Sequence, residues 1–324
     1  GTIEITSEEE ENALQFEGSV DTYFRTNLNS TNLPDNGGTL APSTSFANLP
    51  GFSLGMANLI TSYEGDKVGF TTDLVFGPRG VEAVFASPAS LNIVNQLYVF
   101  WNVSESVKLT FGNFNTFLGY EVISPTGNFN YSTSYMFSYG PFSHTGLKAE
   151  FELGKGWSFM GGIFNPTDAT DFNPFDSYVG GLQLGYSNDI GSVWLNGIIS
   201  EGFFQIDLTT GWDVSNQVYL GLNTSLAQDN FFGAAVYVQV SPSDDLALGL
   251  RGEYFEDSGI GVLALNESVF DWTLSANYSI GKLTLIPELR LDQLSYNGIM
   301  PDAKIPMELQ NSLSSFALAA VYSF

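Results

Sequence analysis

Residues 314–324 read SSFALAAVYSF. In an extended strand successive side chains point to opposite faces. Ser314, Phe316, Leu318, Ala320, Tyr322 and Phe324 therefore share one face, and Ser315, Ala317, Ala319, Val321 and Ser323 share the other. One face is mostly large and greasy, the other is small, and an aromatic residue closes the run. That is the pattern of a stave in an outer-membrane β-barrel, with lipid against the large side chains.

The rest of the chain repeats it. Leu14, Phe16, Val20 and Phe24 share one parity, while Gln15, Glu17, Ser19, Asp21, Tyr23 and Arg25 share the other. Sixteen alternating segments follow on this criterion: 14–26, 51–63, 67–77, 92–103, 107–118, 140–153, 157–165, 177–187, 192–200, 203–213, 217–227, 231–240, 246–256, 269–280, 282–293 and 312–324. Tight turns fall at Glu64-Gly65-Asp66, Ser104-Glu105-Ser106, Gly154-Lys155-Gly156, Asn188-Asp189-Ile190-Gly191, Pro242-Ser243-Asp244-Asp245 and Gly281. Long polar loops fall at 27–50, 78–91, 119–139, 166–176, 257–268 and 294–311. Short periplasmic turns and long outer loops are the outer-membrane arrangement. The expected fold is all-β: a transmembrane antiparallel barrel of about sixteen strands, both termini periplasmic. Residues 1–13 (GTIEITSEEEENA) are read as an acidic flexible N-terminal tail and 14–324 as a single barrel.

Composition agrees. The chain has 324 residues with 15% aromatics and 44% hydrophobic residues, and its mean hydropathy is near zero. No run approaches the eighteen or so apolar residues that a spanning helix requires. Alternating lipid-facing and water-facing positions produce this average naturally. Ten bases against 35 acids give a net charge of −25, which argues against nucleic acid as a partner. It suits either a solvated surface or an acidic interior that favours cations. The lack of cysteine removes disulfides and thiolate-bound metals.

Charge placement separates a membrane barrel from a soluble sandwich. Leu246, Leu248, Leu250 and Tyr254 oppose Arg251 and Glu253. Leu283, Leu285, Pro287, Leu289 and Leu291 oppose Thr284, Glu288, Arg290 and Asp292. An arginine facing mid-membrane lipid costs about 2–4 kcal/mol, which parity avoids by sending Arg25, Arg251 and Arg290 inward. Phe52, Tyr63, Trp101, Trp157, Trp212, Phe232, Trp272 and Phe324 fall near strand ends and suit interfacial girdles.

The segment 111–147, FGNFNTFLGYEVISPTGNFNYSTSYMFSYGPFSHTGL, resembles the OmpL-like β-barrel porins, the second β-barrel porin family. The resemblance rests on Gly112 and Phe114, Gly119-Tyr120-Glu121, the Asn/Tyr/Ser-rich stretch Asn128 to Tyr135, and Gly140 to Gly146. It implies a porin-like protein of the Gram-negative outer membrane and names no solute.

Sixteen strands enclose more space than eight, whose interior side chains alone would fill. The inward residues are therefore the candidate site. Glu17, Asp21, Arg25, Lys148, Glu150, Arg251, Glu253, Asp271, Glu288, Arg290 and Asp292 form an expected charged wall, with Asp73, Lys108, Glu152 and Asp207 on the same parity. Such a wall reads first as a bracing salt-bridge lattice and, compatibly, as a surface that sorts solutes by sign. Loop 119–139 is expected to fold into the lumen, with Tyr120, Glu121, Asn128, Asn130, Tyr131 and Tyr135 as candidate constriction residues.

Enzyme chemistry finds little footing. His144 is the one histidine, and the adjacent Ser143 points to the opposite face of the strand. Asp168, Asp171 and Asp176 lack calcium-loop spacing. No catalytic residue, metal or cofactor is expected. The function expected is passive diffusion of small hydrophilic solutes or ions. The alternative is a closed barrel serving as accessory or scaffold subunit of a larger outer-membrane complex. Expected partners are outer-membrane lipid and small hydrophilic solutes, with a homo-oligomer or a larger envelope assembly as further options.

Overall fold

The computed structural model describes residues 14–34, 38–88, 91–174, 176–299 and 309–324; the acidic run 1–13 lies outside the described residues. Alternation in the sequence becomes sixteen strands: β1 (Gln15–Asn27), β2 (Gly51–Glu64), β3 (Val68–Phe76), β4 (Val94–Ser104), β5 (Val107–Asn115), β6 (Ser143–Gly154), β7 (Trp157–Phe164), β8 (Val179–Asn188), β9 (Gly191–Ser200), β10 (Phe203–Ser215), β11 (Val218–Ala227), β12 (Phe231–Ser243), β13 (Leu246–Asp257), β14 (Ser268–Ile280), β15 (Leu283–Leu294) and β16 (Ser312–Ser323). Each pairs antiparallel with its chain neighbours, and β1 pairs with β16 to close the ring. Closure leaves no unpaired edge, as a lipid environment demands. The expected segments coincide with these strands and differ only by a few residues at their ends.

The two ends of the barrel differ. One end carries only tight turns; the other carries the long loops together with two short turns, after β9 and after β11. The start of β1 and the end of β16 sit at the turn end, where Gly18 and Phe324 exchange backbone hydrogen bonds of 3.2 and 3.0 Å.

Side chains sort by parity. Leu248, Leu250, Trp272, Leu274, Leu289, Leu291, Leu318 and Tyr322 are exposed on the outer face, while Arg251, Glu253, Asp271, Arg290 and Asp292 are buried inside. Such an apolar exterior would be untenable in water but matches hydrocarbon. Phe52, Trp101, Trp157, Phe232, Trp272 and Phe324 are all exposed, as girdle residues should be.

One irregularity matters to the interior. Between the pairs Val20–Ala57 and Thr22–Leu54, β2 carries an extra residue. The bulge frees the Met56 N–H, and Asp21 Oδ1 accepts it at 2.8 Å.

Segment 116–142 between β5 and β6 turns into the lumen from the loop end. It contains a short 3-10 turn (Pro125–Gly127) and a one-turn helix α2 (Tyr135–Tyr139). The Ser134 hydroxyl caps α2 by accepting the Phe137 N–H at 3.1 Å. A second short helix, α1 (Pro78–Ala83), lies in the β3–β4 loop. Aromatic packing seats both. Tyr135 and Met136 pack with Phe231, Tyr237 and Phe255 of the wall. Phe137 and Phe142 pack with Phe46, Val75 and Ile123.

Candidate constriction site

Strand register, which parity alone does not give, assembles the charged wall. Across β13, β14 and β15 the pairs Arg251–Thr273 and Thr273–Arg290 form one row. Glu253–Asp271 and Asp271–Asp292 form the neighbouring row towards the loop end. Ser275–Glu288 lies on the other side, and Glu288–Ala317 and Ala317–Arg25 continue it to β1. A cationic row is thus sandwiched between rows carrying acids.

The guanidinium of Arg251 donates Nε and Nη2 to Asp271 Oδ2 at 2.9 and 2.6 Å. Arg290 donates to Asp292 Oδ1 from Nη2 at 2.8 Å and stands 3.4 Å from Asp271. Both arginines are nearly inaccessible to solvent, with 0% and 4% exposure. At that burial a pair is costly to desolvate and costlier to break, because the surviving partner is left uncompensated.

Much of this polarity is spent on the inserted segment. Arg251 Nη1 donates to Glu121 Oε1 and to the Ser132 carbonyl, each at 2.7 Å. Arg290 Nη1 donates to the Thr133 carbonyl at 2.7 Å. Glu253 accepts the backbone N–H groups of Tyr135 and Met136, both at 2.8 Å. Glu288 accepts those of Tyr131 at 2.8 Å and Ser132 at 3.1 Å, and also the Ser275 hydroxyl at 2.8 Å. An irregular segment cannot pair its own amides, so wall carboxylates supply the acceptors.

Five of the six candidate constriction residues face the wall. Tyr120 stacks on Tyr237 at 4.0 Å and donates to the Tyr219 hydroxyl at 3.0 Å. Glu121 accepts the Ser134 N–H at 2.7 Å besides pairing with Arg251. Asn130 donates to Ser275 Oγ at 2.7 Å. Tyr131 donates its hydroxyl to Asp21, and Tyr135 donates to Asp292 Oδ1 at 3.0 Å. Burial pushes both of these tyrosine hydroxyls well up, so they stay protonated donors. Asn128 differs: it closes a local turn on the N–H and carbonyl of Val122, and the tip around it is the exposed part of the segment.

The remaining wall candidates lie elsewhere. Arg25 is buried and donates to Asn27 Oδ1 at 2.8 Å and to the Leu40 carbonyl at 3.3 Å. Lys148 and Glu150 pair at 3.0 Å in the more open turn-end half. Glu17 is exposed at the mouth. Asp207 accepts from the Gly119 N–H, Asn196 and Asn223 at 2.9, 3.0 and 2.7 Å.

Alternation misses Arg79, because it sits in α1 and outside any strand. Its Nε and Nη1 donate to the carbonyls of Ile123 and Tyr131 at 2.9 and 3.3 Å, and its guanidinium lies 4.3 Å above the Phe46 ring. Scarcity of bases was the available signal. His144 points into the lumen, bonds Thr116 through Nε2 at 2.9 Å and lies between Phe117 and Phe164. Among the described residues no group of three or more acids, histidines or cysteines is placed to hold a metal.

Beyond the segment, at the turn end, the lumen opens. A cavity of about 650 Å³ is lined by Glu64, Asp66, Glu105, Glu150, Glu152, Lys67 and Lys108, among others. Carboxylates outnumber ammonium groups at this mouth.

A closed sixteen-stranded ring with an apolar exterior, charged interior and lumen-seated loop defines an outer-membrane porin. The family model described as "Putative beta-barrel porin-2, OmpL-like" matches residues 13–324, and the chain belongs to that family. The protein is accordingly an outer-membrane channel of a Gram-negative cell. Solved structures share the fold at low identity. The anion-selective porin from Comamonas acidovorans superposes with a TM-score of 0.63 at 12% identity, covering 97% of this chain and 100% of that one. Salmonella typhi OmpF, in complex with daunomycin, gives 0.63 at 13%, covering 99% and 100%. Pseudomonas putida OprB gives 0.60 at 10%, covering 98% and 95%. No curated protein matches by sequence. The scaffold alternative gains no support from these likenesses.

Proposed function

We propose that the barrel passes small hydrophilic solutes and ions passively, with a bias towards cations and without a catalytic step. The turn end faces the periplasm and the long loops face outward, as the loop asymmetry favours. The acidic mouth carries the reading of selectivity: five carboxylates against two lysines line the 650 Å³ cavity. Fixed charges at a confined mouth concentrate counter-ions and repel co-ions. The wall residues and the inserted segment lie further in, across the path. His144 is a packed, hydrogen-bonded wall residue in this reading, since its ring nitrogen is engaged by Thr116.

Planar-bilayer recording tests it. Purified protein should conduct ohmically while open and give a reversal potential on the cation-selective side in a salt gradient. Silent bilayers at high copy number would count against an open pore, and an anion-selective potential would count against the mouth as filter.

A further inference from the structure

The wall fits closely around the inserted segment. Two voids that border it are small. One lies between Gly119, Met136 and Gly140 and the wall residues Gln205 and Asp207; it is about 10 Å³. Another touches Arg25, Ala47, Ser132 and Glu288 and is again about 10 Å³. Such a void holds about one water molecule, not a hydrated ion.

Polar contacts join the aromatic packing of Tyr135 and Met136 in holding the segment against the wall. Glu253 and Glu288 grip backbone amides of 131–136, and Arg251 and Arg290 grip its carbonyls. Water can replace these hydrogen-bond partners once the segment moves, which offsets part of what release forfeits. Glycines stand at both of its junctions with the barrel: Gly119, at a backbone φ of 87°, and Gly140. Among the described residues a single ion pair joins segment to wall, Glu121–Arg251 at 2.7 Å.

Resting on the channel reading above, we infer that segment 119–139 is a gate, shut in this conformation, and that the wall charges are its latch. The arginines and carboxylates of β13–β15 are then positioning residues, which hold the segment across the lumen and filter ions only once it has left. Opening swings the segment about its glycine junctions towards the loop end and joins the acidic mouth to the exterior.

The absence of native cysteine makes the test direct. In Asn130→Cys/Ser275→Cys the two thiols replace a contact of 2.7 Å and leave every charge in place. Joined by oxidation or by a short bifunctional thiosulfonate, this pair should silence the channel, and reductant should restore it. Glu121→Gln/Arg251→Gln removes one charge of each sign, so net charge is conserved. Its open probability should rise about tenfold because a buried pair has been lost, with the reversal potential unchanged. A cross-linked pair that conducts like the reduced protein overturns the gate while leaving the channel reading intact. If no preparation conducts, the channel reading fails. Maleimide labelling of Asn130→Cys then judges the latch alone: labelling should quicken about tenfold in the Glu121→Gln/Arg251→Gln background, and an unchanged rate would overturn it. Heat-modifiable electrophoretic mobility confirms that each variant is a folded barrel.

Discussion

Arg251 makes more bonds than its own strand neighbours could supply, reaching Asp271 and Thr273 along the wall and Glu121 and Ser132 on the inserted segment. Arg251→Ala leaves Asp271 and Glu121 buried beside an empty space. Breaking a buried pair from one side costs about 3–5 kcal/mol, and urea unfolding of the folded barrel should show a loss of that order. Arg251→Lys should fall between, because an ammonium group cannot fork to two carboxylates. Asp168, in the β7–β8 loop, offers a different reading at this scale. Its Oδ1 accepts the N–H groups of Phe142 and Ser143, both at 2.8 Å, where the inserted segment rejoins the barrel. Burial pushes its carboxyl up to about 6, outweighing those two bonds. The folded state then holds this proton more tightly than the unfolded chain does. The stability this group contributes is present below the ordinary aspartate range and declines as pH rises towards about 6. Asp168→Asn keeps the accepting oxygen and should flatten that slope when urea midpoints are compared between pH 4 and pH 7.

Strands were legible because lipid on one side and polar surroundings on the other impose a period of two on every stave. Leu248 and Leu250 against Arg251 and Glu253 could be assigned to faces from the sequence alone. Register is another matter. Nothing local in β13, β14 or β15 says that Arg251, Thr273 and Arg290 share a row, because pairing is set by turn lengths and by neighbours across the sheet. The interior grip of Glu253 and Glu288 was equally hidden, since its partners are backbone amides that any sequence possesses. The Asn/Tyr/Ser-rich composition of 119–139 did mark it as a lumen candidate. Asn128 engages its own turn and not the wall, because its side chain bonds the N–H and carbonyl of Val122. Gly112 shows how tightly two elements can be matched. A Cβ there would lie 2.3 Å from the Leu97 carbonyl oxygen and 2.6 Å from the Tyr98 Cα, at a φ of 139°. Gly112→Val should break the β4–β5 pairing, and the protein should lose its heat-modifiable band even in detergents that fold the wild type.

Seen whole, the barrel carries its acidity in two places, an open mouth and a buried wall. On the channel reading proposed above the mouth filters by field, whereas the wall's charges are largely neutralised by one another and by the segment. Arg251→Ala/Arg290→Ala removes the two cations that offset Asp271, Asp292 and Glu121. Cation preference should increase, read as a larger reversal potential in a KCl gradient; no change would assign selectivity to the mouth alone. The lipid-facing exterior and the enclosed charge were both inferable from parity and from the −25 net charge. How the lumen is filled was not, because strand count fixes the room available and not its contents.

The pairing of β1 with β16 has a topological corollary. Since Gly18 and Phe324 already touch, the covalent start of the chain is arbitrary with respect to the ring. A short linker across that junction, with new ends cut at the Gly154–Gly156 hairpin, should yield a circular permutant that inserts as the same cylinder.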